Sequence, residues 1–317
     1  VTGAKFKKND FPPSGQVTYQ LYFPPLSKTV KTIKFGVEKE RSWYVHDIVI
    51  REDENALLLP KELRGNWLLI DGSNRWQYGF NSKYAIINSA IWNYTSIEAK
   101  GNKYTINLEK KGDAKTIYAN RQKNGNIAFG EQQNELQTYS LEKTNNPNYI
   151  LADDVPYKED GLFQIGTTTY SGIIKGFSSR TEQKTGTISI NNPFLAEKES
   201  HVIKIADDGS FSVNIPITHP QTAFVSLPNG RYSVLVSPGQ ETFHYANAKA
   251  SLFMGDCAQV NSDLQAMEFI KYFNHKKIRK NLGITPPEAY KKVCFDVRDK
   301  ELKALEDFKT KHFVCAK

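Results

Sequence analysis

The pattern of hydrophobic and polar positions changes once along the chain, close to Phe253. Before Phe253, short runs of alternating apolar residues are separated by turn dipeptides such as Asp71-Gly72, Gly112-Asp113 and Asn124-Gly125. These dipeptides supply the positive φ angles that tight hairpins need. After Phe253, apolar residues recur at the spacing of a helix. The pattern predicts a mainly β protein with a helical tail, in which small antiparallel barrel or sandwich modules precede a short helical bundle.

Breaks in this pattern divide the β part into three segments. Residues 1–55 contain strand-like runs and end in a polar stretch, and we expect them to form β strands of an incomplete N-terminal module. Residues 56–160 hold many short runs between regular turns, which favours a lipocalin-like antiparallel barrel or sandwich. Residues 161–253 have strands about eight to twelve residues apart, a spacing typical of an immunoglobulin-like sandwich.

Residues 254–317 form the predicted helical segment. Apolar residues recur at intervals of three and four on its helices: Val260, Leu264, Met267, Ile270, Leu302, Leu305 and Phe308. A threonine followed by two prolines and a glutamate, from Thr285 to Glu288, is a typical helix start. We expect the apolar face to dock on the 161–253 sandwich, so that Leu264→Ala would cost about 2–5 kcal/mol.

Composition and charge exclude some classes of partner. The chain has 317 residues, of which 39% are hydrophobic and 12% aromatic, enough to build several cores. No stretch approaches the roughly 18 apolar residues of a membrane-spanning helix, so we expect no transmembrane segment. The net charge of +8 comes from the two ends, because residues 36–254 carry 23 basic and 24 acidic side chains. No dense basic stripe is interleaved with aromatic residues, and we expect no nucleic-acid partner.

Aromatic residues are the first candidates for a binding site. All four tryptophans lie within residues 1–92, and Trp76, Tyr78 and Phe80 alternate as if on one face of a strand. Gly65-Asn66-Trp67 resembles the Gly-x-Trp at the start of lipocalin-type barrels. Two interpretations stay open: a ligand cavity or sugar-stacking platform, or an aromatic core. The candidate ligand-binding residues are Trp67, Trp76, Tyr78 and Trp92.

Catalytic and metal-binding patterns are missing from the sequence. No two histidines stand at metal-ligand spacing, and no nucleophile-elbow or phosphate-loop sequence is present. We therefore expect no catalytic residue, no metal and no cofactor. The three cysteines are Cys257, Cys294 and Cys315. Buried free thiols, a Cys257–Cys294 disulfide and a redox-active thiol all remain open.

Several segments together carry a family resemblance. They are Phe11-Pro-Pro-Ser-Gly15, Leu21-Tyr-Phe-Pro-Pro-Leu26, Leu63-Arg-Gly-Asn-Trp67, Asp71-Gly-Ser-Asn-Arg-Trp76, Tyr78-Gly-Phe80, Asp208-Gly-Ser-Phe211, Ser237-Pro-Gly239 and the stretch from Phe253 to Leu264. These segments, which span nearly the whole chain, resemble the N-terminal, non-catalytic region of TlpA-like thiol:disulfide oxidoreductases. That family belongs to the thioredoxin-fold redoxins of Gram-negative cell envelopes.

The resemblance implies a function without catalysis in this chain. The family's chemistry resides in a C-terminal thioredoxin domain with a Trp-Cys-x-x-Cys motif, and this motif is absent here. The resemblance therefore implies an accessory module, not an enzyme, that positions a thioredoxin domain of the same parent chain or binds its client proteins. Residues 254–317 would precede that domain.

The resemblance also implies a location in the cell: the chain would be periplasmic, or anchored as a lipoprotein at the outer membrane of a Gram-negative bacterium. The chain begins at Val1, and its methionines are Met254 and Met267, so we expect a processed or trimmed start that has lost any signal peptide or lipid anchor. A hypothesis of a different class is a surface binding protein for glycans or small apolar ligands, based on the aromatic strand at Trp76.

Overall fold

The computed structural model describes residues 25–27, 29–37, 43–50, 59–144, 146, 163–192, 197–248, 250–266 and 286–311. The chain forms two compact units, Val1–Ala56 and Leu57–Lys317. In the first unit, β1 (Thr32–Val37) and β2 (Trp43–Val49) pair as an antiparallel two-stranded sheet. The described residues of the second unit form a barrel, a sandwich and two helices. The prediction of a mainly β chain with a helical tail is confirmed.

Eight antiparallel strands form the closed barrel, and each is joined to its neighbours by backbone hydrogen bonds. The strands are β3 (Gly65–Leu69), β4 (Trp76–Phe80), β5 (Tyr84–Ile87), β6 (Ala90–Lys100), β7 (Lys103–Lys110), β8 (Asp113–Arg121), β9 (Ile127–Gly130) and β10 (Gln137–Ser140). The barrel closes because β10 pairs with both β9 and β3. The turn between β7 and β8 shows why the sequence predicts hairpins here. Lys111 and Gly112 have φ angles of +51° and +92°, as a two-residue primed turn requires.

Aromatic and branched side chains fill the barrel interior. Alternate residues of β7, Tyr104, Ile106 and Leu108, point inward and are buried. Trp67 lies in the same core, and its ring meets Phe129 edge-on at 5.5 Å. The barrel is therefore a packed core, in which each large side chain contributes free energy of burial in proportion to its apolar area.

Two four-stranded sheets form the sandwich. Their strands are β11 (Gly166–Ile174), β12 (Thr185–Asn192), β13 (Glu197–Lys204), β14 (Ser210–Ile217), β15 (Gln221–Leu227), β16 (Gly230–Val236), β17 (Glu241–Ala246) and β18 (Leu252–Gly255). The first sheet has the order β14-β11-β17-β18, in which β11 and β17 run parallel. The second sheet has the order β13-β12-β15-β16 and is antiparallel throughout. Their facing side chains form one apolar core.

A polar network crosses the sandwich core at His244. The imidazole is fully buried, stacked on Phe253 with 4.6 Å between ring centroids. The Tyr170 hydroxyl donates to Nδ1 at 2.7 Å, and Nε2 lies 2.8 Å from the Ser251 hydroxyl oxygen. Because the Ser251 hydroxyl donates to the Asn247 carbonyl, the imidazole supplies the proton on its Nε2 side. Burial lowers the pKa of His244 to about 3, so the ring is neutral at physiological pH.

A third apolar cluster joins the barrel to the first sheet of the sandwich. Trp76 extends from β4 toward β17, with ring centroids 6.4 Å from Phe243 and 5.8 Å from Tyr245. Met254 of β18 completes the contact, and its sulfur accepts a hydrogen bond from the Ser89 backbone N–H at 3.4 Å. We call this set of residues the Trp76 joint: Leu68, Trp76, Ile86, Ile173, Phe243, Tyr245 and Met254.

A β-bulge explains why Trp76 points away from the barrel interior. Trp67 pairs with Tyr78, but the next residue of β3, Leu68, pairs with Trp76, which leaves Gln77 as an extra residue in β4. A bulge of this kind reverses the alternation of side chains. Tyr78 and Phe80 therefore belong to the barrel core, whereas Trp76 belongs to the joint. The prediction that Trp76, Tyr78 and Phe80 share one face is wrong.

Two helices lie in the described part of the tail, α1 (Ala258–Ala266) and α2 (Pro287–Lys311). Helix α1 packs against β18 and β16, whereas α2 makes no comparable contact with any described strand. The expected docking on the sandwich is therefore shown for α1 alone. Leu305 is partly buried and Phe308 is buried, while Leu302 is 52% exposed. Met267 and Ile270 lie outside the described residues.

The face by which α1 docks differs from the predicted one. Val260 and Leu264 are 46% and 39% exposed, whereas Cys257 and Asn261 are buried. The reason is hydrogen bonding at the edge of the second sheet. The Asn261 amide accepts from the Leu235 N–H at 2.7 Å and donates to the Leu235 carbonyl at 3.0 Å. It thus pairs with the edge strand β16 as a neighbouring strand would, and this sets the rotation of the helix.

Asn261→Ala should cost about 1–3 kcal/mol of unfolding free energy, because it leaves both backbone groups of Leu235 without their partner beneath the helix. Leu264→Ala is the matched control on the same helix. Its side chain is substantially exposed, so we now expect a cost below about 1 kcal/mol. Urea denaturation of both variants measures the difference. A larger loss for Leu264→Ala would contradict the observed docking face.

The stability of the protein should fall at acid pH through His244. The ring has a pKa of about 3 in the folded chain against an ordinary value of 6.5, so between these pH values the unfolded chain binds the extra proton. The contribution of the neutral His244 ring to the free energy of unfolding is therefore fully present above pH 6.5. It decreases by up to about 1.4 kcal/mol per pH unit below that pH. His244→Asn should flatten this part of the curve, while the control His219→Asn should keep it. Equal slopes in His244→Asn and wild type would contradict the buried neutral imidazole.

Candidate functional site

The two sheets of the sandwich differ in what covers their outer sides. The outer side of the first sheet carries Ile173, Phe243 and Tyr245, and the barrel covers it at the Trp76 joint. The outer side of the second sheet carries a large exposed side chain at its centre, Phe224, which is 50% exposed. We call this second surface the Phe224 face. It is the candidate binding surface of the described chain.

Strand register determines which side chains form the Phe224 face. Directly paired residues lie on the same side of a sheet. Phe224 pairs with Ser189 on one side and Ser233 on the other, so these three form one row. The next row contains Val202, Thr187, Ser226 and Arg231. Lys198, opposite Asn191, lies beyond the Phe224 row at the other end of the surface.

The surface is a shallow depression of about 440 Å³ around Phe224. Its lining includes hydroxyl groups and cations around the apolar surface of Phe224, with Ser189, Ser226 and Ser233 beside Lys198 and Arg231. The Lys198 ammonium lies over the Phe224 ring, 5.6 Å from its centroid, as in a cation–π contact. The depression therefore combines an aromatic ring with cations and hydroxyls that can both donate and accept hydrogen bonds.

The charges on this face are all positive in the described chain. Lys198, Lys204 and Arg231 are exposed, and none of them pairs with a described carboxylate. Glu199, which follows Lys198 on β13, pairs with Ile190 and so belongs to the opposite side of the sheet. Such a surface attracts carboxylates, and the attraction weakens as salt is added. The described residues hold no cluster of three or more metal-ligating side chains.

Three of the four residues predicted to bind ligands lie inside the barrel. Trp67 and Tyr78 belong to its core, and the Trp67 indole N–H donates to the Leu63 carbonyl at 2.8 Å. Trp92 is buried as well, with its N–H donating to the Ile87 carbonyl at 3.2 Å. Burial raises the pKa of Tyr78 to about 12, which keeps its hydroxyl protonated. These rings act as core residues, and their faces are packed by protein.

The fourth predicted residue, Trp76, lies in the joint between barrel and sandwich. It is buried, and its indole N–H donates to the Tyr78 carbonyl at 3.1 Å. The structure thus places Trp76 apart from Trp67, Tyr78 and Trp92, on the other side of the barrel wall. A buried indole offers no stacking surface to a sugar.

The cysteines do not form the disulfide that the sequence left open. Cys257 and Cys294 are both free thiols. The Cys257 thiol is buried beside α1 and donates to the Gln240 side-chain carbonyl at 3.0 Å, while Cys294 lies on α2. Burial raises the pKa of Cys257, which keeps it protonated and unreactive. Cys315 lies outside the described residues.

Sequence reasoning missed Phe224, Lys198 and Arg231, although one signal was present. In β15 the buried residues alternate as Ala223, Val225 and Leu227. Phe224 therefore occupies a position where the alternation predicts a polar side chain. An aromatic residue in the polar phase of a strand marks an exposed apolar site.

Comparisons with protein-family models, with curated proteins and with solved structures found no match. Among the described residues, neither helix is long and apolar enough to cross a membrane.

Proposed function

We propose that this chain is a non-catalytic module of a Gram-negative cell envelope that positions a thioredoxin domain of its parent protein and binds that domain's clients. The observation that carries the proposal is the Trp76 joint. It joins barrel and sandwich through buried side chains of both, and we expect this contact to make the two move as one body. A rigid body with an exposed binding face suits a module that holds a client at a set distance from a redox site.

The proposal rests on two further supports. The segments that resemble TlpA-like oxidoreductases include Tyr78-Gly-Phe80 in the barrel core and Asp208-Gly-Ser-Phe211 at the hairpin between β13 and β14. The cationic and aromatic Phe224 face supplies a surface for a client. A client held on this face would meet a linked redox domain at a raised effective concentration. The same resemblance supports a periplasmic or outer-membrane-anchored location.

The alternative of a glycan or small-ligand binder finds no exposed stacking platform among the residues on which it was based. It relied on aromatic side chains of β4 and its neighbours as a stacking platform or cavity lining. Trp67, Trp76, Tyr78 and Trp92 are all buried. We therefore do not propose it as a second function.

Trp76→Ala should separate the unfolding of barrel and sandwich. The change removes an indole from a buried interface, at a cost of about 3–5 kcal/mol, and with it most of the coupling. In a Trp43→Phe background, tryptophan fluorescence reports the unfolding of the barrel. Protection of the Cys257 thiol from chemical modification reports the unfolding of the sandwich. Without the Trp76 change, we expect the two probes to share one urea midpoint of unfolding; with it, we expect two different midpoints.

Trp92→Ala is the control inside the barrel, and it should lower the unfolding midpoints of both probes together. A shared midpoint in Trp76→Ala would contradict the joint.

The proposed function itself can be tested with a fused thioredoxin-fold domain that contains Trp-Cys-x-x-Cys. Fused after Lys317, it should reduce insulin disulfides with a KM about tenfold lower than the free domain and with the same kcat, since the module adds binding without changing the chemistry. The chain alone should not accelerate reduction by dithiothreitol. Reduction by the chain alone at thioredoxin-like rates, or equal KM values for fused and free domains, would refute the proposal.

A further inference from the structure

We propose that the Phe224 face binds an extended, acidic segment of polypeptide. This inference rests on the proposed function in one respect, that the clients are proteins. Its own basis is the arrangement of cations and apolar groups on the second sheet.

The cations of the face come from widely separated backbone positions. Lys198 lies on β13 and Arg231 on β16, three strand intervals apart in the sheet order. The register also offsets them along the strands, because the residue of β13 in the Arg231 row is Val202. Strand spacing of about 4.8 Å and a rise of about 3.3 Å per residue then separate the two backbone positions by roughly 19 Å. One small anion would have to draw both long side chains together, whereas two acidic groups spaced along one chain could meet Lys198 and Arg231 separately.

An extended peptide fits this separation. About six residues of an extended chain span roughly 19 Å, so acidic side chains near the two ends of such a segment can reach Lys198 and Arg231. Phe224, on β15, lies between the two cations, because its row is the one between the row of Lys198 and the row of Arg231. An apolar side chain in the middle of the segment would meet it there. Val202, 60% exposed in the Arg231 row, offers a second apolar contact.

The environment of Phe224 favours a peptide over an acidic polysaccharide. A sugar ring stacks flat on an aromatic face, but the Lys198 ammonium already lies over the Phe224 ring at 5.6 Å. The exposed remainder of the ring suits an apolar side chain, which needs no flat contact. The hydroxyls of Thr187, Ser226 and Ser233 can bond backbone amides of the segment as donors or acceptors.

The charge of the face selects the acidic segment. Lys198, Lys204 and Arg231 have no described carboxylate partner, so a bound acidic chain would displace no ion pair among the described residues. Exposed pairs of this kind contribute modest affinity each and depend on salt. Binding should therefore need several acidic residues in one segment and should weaken as salt rises.

Fluorescence anisotropy tests the inference with a labelled peptide of about twelve residues built from Glu-Ser-Tyr-Ser repeats, which place Glu and Tyr on the same side of an extended chain. The whole chain should bind this probe at least about tenfold more tightly than the same peptide with Gln in place of Glu, and the difference should shrink at high salt. Lys198→Glu combined with Arg231→Glu should weaken binding about tenfold or more, and Phe224→Ser should weaken it severalfold. The control Lys123→Glu, at an exposed turn of the barrel, should change binding less than about twofold.

All of these positions are exposed, so the melting temperature should stay close to that of the wild type. No binding of the acidic peptide, or undiminished binding by the Lys198→Glu, Arg231→Glu variant, would overturn the inference. Tighter binding of polygalacturonate than of the peptide would replace a polypeptide with a glycan as the ligand. If the thioredoxin fusion keeps its low KM while the face variants still bind the peptide, the proposed module function is supported and the peptide site on the Phe224 face is refuted. If the wild-type chain binds the peptide but the fusion has no KM advantage, the peptide site is supported and the module function is refuted.

Discussion

The burial of Trp76 between the barrel and the first sheet is the contact on which the rest of the structure depends. The indole belongs to a barrel strand, yet it packs against Phe243 and Tyr245 of the sandwich. Its N–H is satisfied within its own strand by the Tyr78 carbonyl, so burial leaves no polar group unpaired. A single extra residue, Gln77, makes this possible, because the bulge turns Trp76 outward while Tyr78 stays inside.

This joint gives the sandwich two unlike outer surfaces. Its first sheet is covered by the barrel, and an edge of its second sheet is closed by α1 through Asn261. The closed edge matters because an unpaired strand is a template for unwanted pairing. Among the described residues, the cationic Phe224 face stays open, and its two interior strands, β12 and β15, already have backbone partners on both sides. A ligand must therefore bind there through side chains, and this makes charge and apolar contact the sources of its specificity.

Much of the fold could be predicted from the sequence because local chemistry determines it. The turn at Lys111 and Gly112 needs positive φ angles, and the alternation in β7 places Tyr104, Ile106 and Leu108 inside. The remaining features depend on contacts between distant segments. The run from Trp76 to Phe80 has regular alternation, and only pairing with β3 shows the bulge. The spacing of Val260 and Leu264 is helical, but the hydrogen-bonding need of Leu235, far away in sequence, sets the helix rotation.

The candidate site was less predictable than the fold for a related reason. The large aromatic side chains of Trp67, Trp76, Tyr78 and Trp92 suggested a binding site. The large apolar surface of such rings also stabilises a protein core when it is buried, and the sequence does not distinguish the two uses. The Phe224 face gathers a few residues from each of four strands, and their neighbourhood follows from strand order, not from any motif. Only the phase of Phe224 within β15 distinguishes it in the sequence.

Native-state hydrogen exchange tests most directly whether barrel and sandwich are one cooperative body. If the Trp76 joint couples them, the slowest amides of β4 and β5 in the barrel and of β17 in the sandwich should open with the same free energy and the same dependence on denaturant. Opening of the β4 and β5 amides several kcal/mol more easily than those of β17, with a smaller denaturant dependence, would show two independent domains and contradict the coupling.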